Sequence, residues 1–155
     1  VAAMMTLILG LRASEVVTRT VRDVDDDGSL LWIPSSKTDA GRRTVRIPTA
    51  LRDHMLRLVK GRDADDLLFG RRWRDWPRKW VQRICSEAGV MKVSAHGMRG
   101  LHSTLAVDSG ITGHAVAAAL GHESFSTTTT SYARPEAVSN ARQQRVLAVL
   151  DGGKK

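Results

Sequence analysis

Apolar positions along this chain recur mostly at helical spacing, with one stretch that switches to period two. Residues 1–9 (VAAMMTLIL) have helical character. From residue 20 to residue 48 the pattern changes. Val21 and Val24 precede Asp25-Asp26-Asp27-Gly28, a turn signal. Residues 30–33 (LLWI) read as a strand, and Arg43-Thr44-Val45-Arg46-Ile47 alternates as a half-buried strand should. A polar, glycine-containing loop, Ser35-Ser36-Lys37-Thr38-Asp39-Ala40-Gly41-Arg42, joins the two. The expectation is a small antiparallel sheet of three strands, with Lys37 near the tip of the second hairpin. A helix then starts at Pro48 or Thr49 and runs to about Lys60 on a stripe of Leu51, Met55, Leu58 and Val59.

Residues 61–66 form a polar linker, and Leu67-Leu68-Phe69 a short buried piece. Pro77 suits the first turn of a helix that Asp75 can cap. On that helix Trp76, Trp80 and Ile84 repeat every four residues, which favours core packing of the rings over nucleic-acid contact. Ser94 caps the next helix, with His96, Arg99 and Ser103 along one face, His102 elsewhere, and Val107 and Ile111 inward. Thr112 caps residues 113–120, and Gly121 has the place of a left-handed C-cap. A short helix from Ser126 through Tyr132 is stopped by Pro135, and residues 136–155 form a last amphipathic helix and a frayed tail. No repeats break this order. The reading is one α+β domain over residues 1–155, mostly helical with a small sheet.

Composition adds direction. The chain has 155 residues, 42% apolar and 26% charged, enough for a substantial core. Twenty-four Lys and Arg against sixteen Asp and Glu give a net charge of +8. Such a balance suits an anionic polymer, although a basic surface that binds nothing fits it equally. Cys85 is the single cysteine, which leaves no disulfide framework and points to a reducing cytosol. The opening apolar run is too short for a membrane span and lacks the flanks of a signal peptide.

Candidate chemistry gathers at the helix edges. His96 and Arg99 are three apart and share a helical face. The turn at Gly121 throws His122 towards that face, and Tyr132, the chain's only tyrosine, follows. An arginine, two histidines and a tyrosine suit the holding and attacking of a phosphodiester. Other signals are weaker. Arg12 and Glu15 are also three apart, but such a pair alone is ordinarily a surface salt bridge of little energy. A loop lysine such as Lys37 is usually just solvated. Arg71 to Trp80 interleave five basic residues with three tryptophans, and the basic residues can line a DNA path.

G-L-R-A-S-E, K-T-D-A-G-R-R, H-G-M-R and L-G-H-E-S followed by tyrosine resemble, in order, the motifs of the tyrosine recombinases, or phage-type integrases. The resemblance covers nearly the whole chain and implies that family's catalytic-domain fold. It implies that Arg12, Lys37, His96, Arg99, His122 and Tyr132 are catalytic, with Glu15 supporting Arg12. It further implies double-stranded DNA as substrate and a tetramer of the full-length protein on DNA. A bacterial or phage origin, near the nucleoid, also follows from it. Three departures stand out. Tyr132 lies ten residues after His122, where nine is more common. Gly100 follows Arg99 where many members carry histidine. The chain also begins just before its first arginine motif, so it is expected to be a fragment without the N-terminal DNA-binding domain and the start of the catalytic domain.

The implied chemistry is strand cleavage and rejoining through a 3′-phosphotyrosine. Tyrosine, with a pKa near 10, needs help to attack. Arg12 and Arg99 would bind the non-bridging oxygens, His122 would add a hydrogen bond, and His96 would take the phenol proton. Lys37 would protonate the leaving 5′-oxygen. No metal and no cofactor is expected, because Mg²⁺ is held by carboxylates and the boxes hold only Glu15 and Glu123. A topoisomerase of type IB and a DNA-binding module inactive as this fragment are the alternatives.

Overall fold

The computed structural model describes residues 1–34 and 42–121. Helix α1 (Ala2–Ile8) buries Ala2, Met5 and Thr6 and stops at Gly10, whose φ of +64° is glycine territory. Arg12 is extended and opens the short α2 (Ala13–Val17). Where a third strand would precede the aspartate turn, the chain forms a 3-10 turn, Val21–Asp23, followed by an isolated antiparallel bridge between Val24 and Leu31. Among the described residues the sheet therefore has two strands and not three. The reason is local: the Asp23 carboxylate accepts from both the backbone N–H and the hydroxyl of Thr20, which winds the chain instead of extending it. The three aspartates make the expected turn, with Asp25 accepting from Leu30 N–H and the Ser29 hydroxyl, and Asp27 from Ser29 N–H.

Strands β1 (Leu30–Ile33) and β2 (Arg43–Arg46) pair antiparallel, with Leu31 opposite Val45 and Ile33 opposite Arg43. Leu31 and Ile33 point into the core, while Leu30 and Trp32 face outward. Helix α3 (Thr49–Val59) lays Leu51 and Met55 on the same core, each fully buried and each stabilising by about 1.5–3 kcal/mol relative to exposure.

Helix α4 (Trp76–Glu87) departs from expectation by one position. Its buried stripe is Pro77, Val81 and Cys85, while Trp80 and Ile84 are exposed. Close packing of α4 beside Ala95, Ala3, Ala13 and Met98 favours the smaller side chains. Trp76 does pack, against Phe69 and edge-on to Trp80, and Trp73 is almost fully exposed. Helix α5 (Ala95–Asp108) is capped by Ser94, whose hydroxyl accepts from Gly97 N–H at 2.9 Å. Helix α6 (Gly113–Leu120) is capped by Thr112 and ends at Gly121 with φ 66° and ψ 47°, the left-handed C-cap foreseen. Val107 packs inward with Val116 and Leu120, but Ile111 is exposed because the helix has already ended. Residues 136–155, read as a terminal helix and tail, lie outside the described residues.

Candidate active site

Helix α2 is too short to hold itself, and its first turn is held by charge. The Glu15 carboxylate accepts from the backbone N–H of Arg12 at 2.8 Å, closing the turn, and from Arg12 Nη1 at 2.8 Å. Glu15 is only 3% exposed, so the pair is not the surface salt bridge that its spacing suggests. A second arginine explains how the carboxylate is tolerated there. Arg43, from β2, donates Nη1 to Glu15 Oε1 and Nη2 to Oε2, both at 3.1 Å. Burial raises the Glu15 pKa, but the Arg43 hydrogen bonds and charge, with those of Arg12, outweigh it and hold the carboxyl below its ordinary value. Behind this group Arg19 is buried, donating to the Glu15 carbonyl, to Asp23 and to the Trp32 carbonyl.

The other motif arginine arrives from α5. Arg99 is fully buried. It donates Nη1 to the Gly10 carbonyl and Nη2 to the Leu120 carbonyl at 2.8 Å. Arg12 Nη2 reaches the next carbonyl, Gly121, at 3.0 Å. Two guanidinium groups distant in sequence thus hold consecutive carbonyls at the C-terminal end of α6, where the helix dipole is negative. Gly10 permits this approach: a Cβ there would collide with Leu120 and lie 3.1 Å from His102 Cδ2.

His96 stands at the surface end of the same face of α5. Desolvation first, then the charges of Arg99 and Arg12, lower its pKa, so the ring is biased towards the neutral form. It opens onto a cleft of about 490 Å³ lined also by Ala13, Arg74, Asp75, Arg78 and Ser94. His102 points away, its Nδ1 3.0 Å from the Leu7 carbonyl.

Four of the residues singled out from sequence, Arg12, Glu15, His96 and Arg99, therefore gather around the junction of α2, α5 and the end of α6. Lys37, His122 and Tyr132 lie outside the described residues. Two residues were missed. In sequence Arg43 has the look of an ordinary polar strand position, yet it has the parity of Val45 and Ile47, the inward face of β2. Arg19 carried no periodic signal, since its partners are backbone carbonyls and Asp23. Among the described residues no group of three or more His, Cys, Asp or Glu is placed to hold a metal ion. No described helix is long and apolar enough to cross a membrane.

Residues 1–138 match the phage integrase family. The chain belongs to the phage integrase family. Within it, the sequence is similar to tyrosine recombinase XerA of Saccharolobus solfataricus, with 27% identity over 124 residues, or 80% of this chain and 42% of the relative. A crystal structure of XerA recombinase superposes with a TM-score of 0.75 at 23% identity, over 93% of this chain and 57% of that one. The Tn1549 transposon integrase in complex with a circular intermediate DNA superposes with a TM-score of 0.71 at 18% identity, over 94% of this chain and 57% of that one. At these identities the structural likeness is one of fold. This integrase-family chain spans 42% of the sequence relative and 57% of each of these solved chains.

Proposed function

We propose that this chain is the catalytic domain of a site-specific DNA recombinase that cleaves and rejoins strands through a 3′-phosphotyrosine. The observation that carries the reading is the meeting of Arg12 and Arg99 on the consecutive carbonyls of Gly121 and Leu120, one step before His122. A scissile phosphate entering here meets permanent positive charge fixed in advance, the arrangement that stabilises charge developing on non-bridging oxygens. Arg12 keeps a quarter of its side chain exposed and contacts the phosphate directly. Arg99 lies beneath, and engages a phosphate oxygen by exchanging one of its carbonyl partners for it.

In the cleavage step a Tyr132 oxygen–phosphorus bond forms as the phosphorus–O5′ bond breaks. The phenol proton passes to His96, whose bias towards the neutral form makes it a ready acceptor. Lys37 supplies the proton taken by the leaving 5′-oxygen, and His122 adds a hydrogen bond to the phosphate. Reversal with another 5′-hydroxyl rejoins the strand, since the phosphotyrosine conserves the bond energy. Because the charge clamp consists of arginines, the cleavage step requires no divalent metal. The basic cleft beside His96, with Arg74 and Arg78, carries the neighbouring backbone phosphates of duplex DNA. In its natural full length the protein assembles as a tetramer on DNA.

The test is a denaturing gel for a covalent protein–DNA adduct on nicked duplexes, with the full-length protein in excess chelator. The wild type is expected to form the adduct, and Tyr132→Phe to bind DNA without forming it. An adduct that persists in Tyr132→Phe, or one that appears only with Mg²⁺, overturns the mechanism. Plasmid relaxation without recombinant product would assign a topoisomerase instead.

A further inference from the structure

We infer that Arg43 is a positioning residue for strand cleavage, acting through Glu15 to leave the charge of Arg12 available to the phosphate. This rests on the reading of Arg12 as a phosphate ligand. The geometry is a relay of three charges centred on the buried Glu15. The Glu15 carboxylate accepts from both the backbone and the side chain of Arg12, and from both Nη1 and Nη2 of Arg43. The carboxylate is 3% exposed and the Arg43 side chain 9%, so water screens their attraction poorly. Arg12 is the outermost member, at 25%, and reaches on to the Gly121 carbonyl.

Consider the charge balance. A lone Glu15–Arg12 pair sums to zero, and the carboxylate would cancel the field that Arg12 presents to an incoming anion. With Arg43 bidentate on both carboxylate oxygens, the group sums to +1, and the uncancelled charge lies on its exposed side. Arg43 also fixes the carboxylate plane, because a fork of two parallel hydrogen bonds defines orientation as well as distance. That plane in turn directs Arg12 Nη1, leaving Nη2 on Gly121. The relay therefore runs from β2, through α2, to the step before His122. Strand β2 leads directly out of the loop that contains Lys37, so one side chain ties the hairpin to the phosphate-binding arginine.

Among the described residues, the groups facing Glu15 include Arg12 on its own helix, Arg43 from β2, and Arg19, which adds its charge and donates to the Glu15 carbonyl. Without Arg43, burial acts on Glu15 against a weaker set of positive partners, Arg12 and Arg19 among them. Its protonation then moves up in pH, and Arg12 loses its anchor when the proton arrives.

The experiment is single-turnover adduct formation between pH 5 and 9, in the full-length protein, on a nicked duplex that the wild type cleaves. Arg43→Gln is expected to slow cleavage on the order of 10²-fold, as a misplaced catalytic group does. It should also show a new acid limb, while DNA affinity stays within about threefold. In Glu15→Gln/Arg43→Gln the acid limb should vanish, and the loss should be no greater than in the worse single variant, because both act on one pathway. Arg43→Lys, which keeps charge but not the fork, should recover part of the rate without the acid limb. It also keeps the test alive if Arg43→Gln fails to fold. Multiplying losses in the double variant, or an Arg43→Lys rate and pH profile equal to wild type, overturn the inference. Failure of the wild type to form any adduct overturns instead the reading of the site on which it rests.

Discussion

At Gly10 one hydrogen atom in place of a methyl group decides whether the site can assemble. Its backbone is left-handed, its carbonyl accepts from Arg99, and its Cα faces Leu120 and His102. Gly10→Ala adds a left-handed penalty of about 1–2 kcal/mol to a collision with the end of α6. Equilibrium urea unfolding should show a loss above about 2 kcal/mol, and a change within about 0.5 kcal/mol would place the helices further apart than described here. The buried arginines follow a different logic. Arg43 and Arg99 sit where apolar residues would be expected, and each is tolerated because carboxylate or carbonyl oxygens meet its guanidinium.

Elements are joined by polar contacts as well as by apolar packing, and this makes the domain sensitive to acid. His102 on α5 ties to α1 through the Leu7 carbonyl. Burial, foremost, and the charge of Arg99 lower its pKa, against the raising effect of its hydrogen bonds to Leu7 and Ile8. His96 is lowered as well. The unfolded chain takes up protons at the ordinary histidine value while the folded chain resists, so the unfolded state binds more protons just below pH 6.5. Stability should therefore hold above about pH 7 and decline as the pH falls through 6.5 towards 5. Glu15, lowered in the fold, has its own sign: its contribution is present above its unfolded value and fades only in stronger acid. Chemical denaturation as a function of pH tests this. His102→Gln should flatten the decline between pH 7 and 5, and an unchanged slope would put its source elsewhere.

For the whole molecule the net charge of +8 matters through where it lies. Arg74 and Arg78 line the cleft onto which His96 opens. If DNA phosphates occupy it, each arginine releases counterions on binding. Affinity of the full-length protein for duplex DNA should fall steeply with salt. Arg74→Ala/Arg78→Ala should make the slope of log affinity against log salt shallower by about 2. A slope equal to wild type, measured by fluorescence anisotropy over a range of salt, would mean that the duplex passes elsewhere.

Much of this architecture is written in local chemistry. Ser94 and Thr112 cap their helices because a hydroxyl before an apolar helical run has few better partners than a free N–H. Gly121 turns left-handed because only glycine does so without cost. The order of the motif boxes identifies the family without any coordinate. What sequence left open is whatever depends on a partner far along the chain. The spacing of Arg12 and Glu15 is the same in a weak surface pair and in a buried relay, and only Arg43, arriving from the sheet, distinguishes them. Val21 and Val24 have the look of a strand, but the Asp23 carboxylate on Thr20 winds them into a turn. Trp80 and Ile84 have core spacing, but the neighbour that α4 packs against selects the smaller residues beside them. Periodicity tells which residues share a face. Only tertiary packing decides which face is inside, because burial energy depends on the neighbour as much as on the residue.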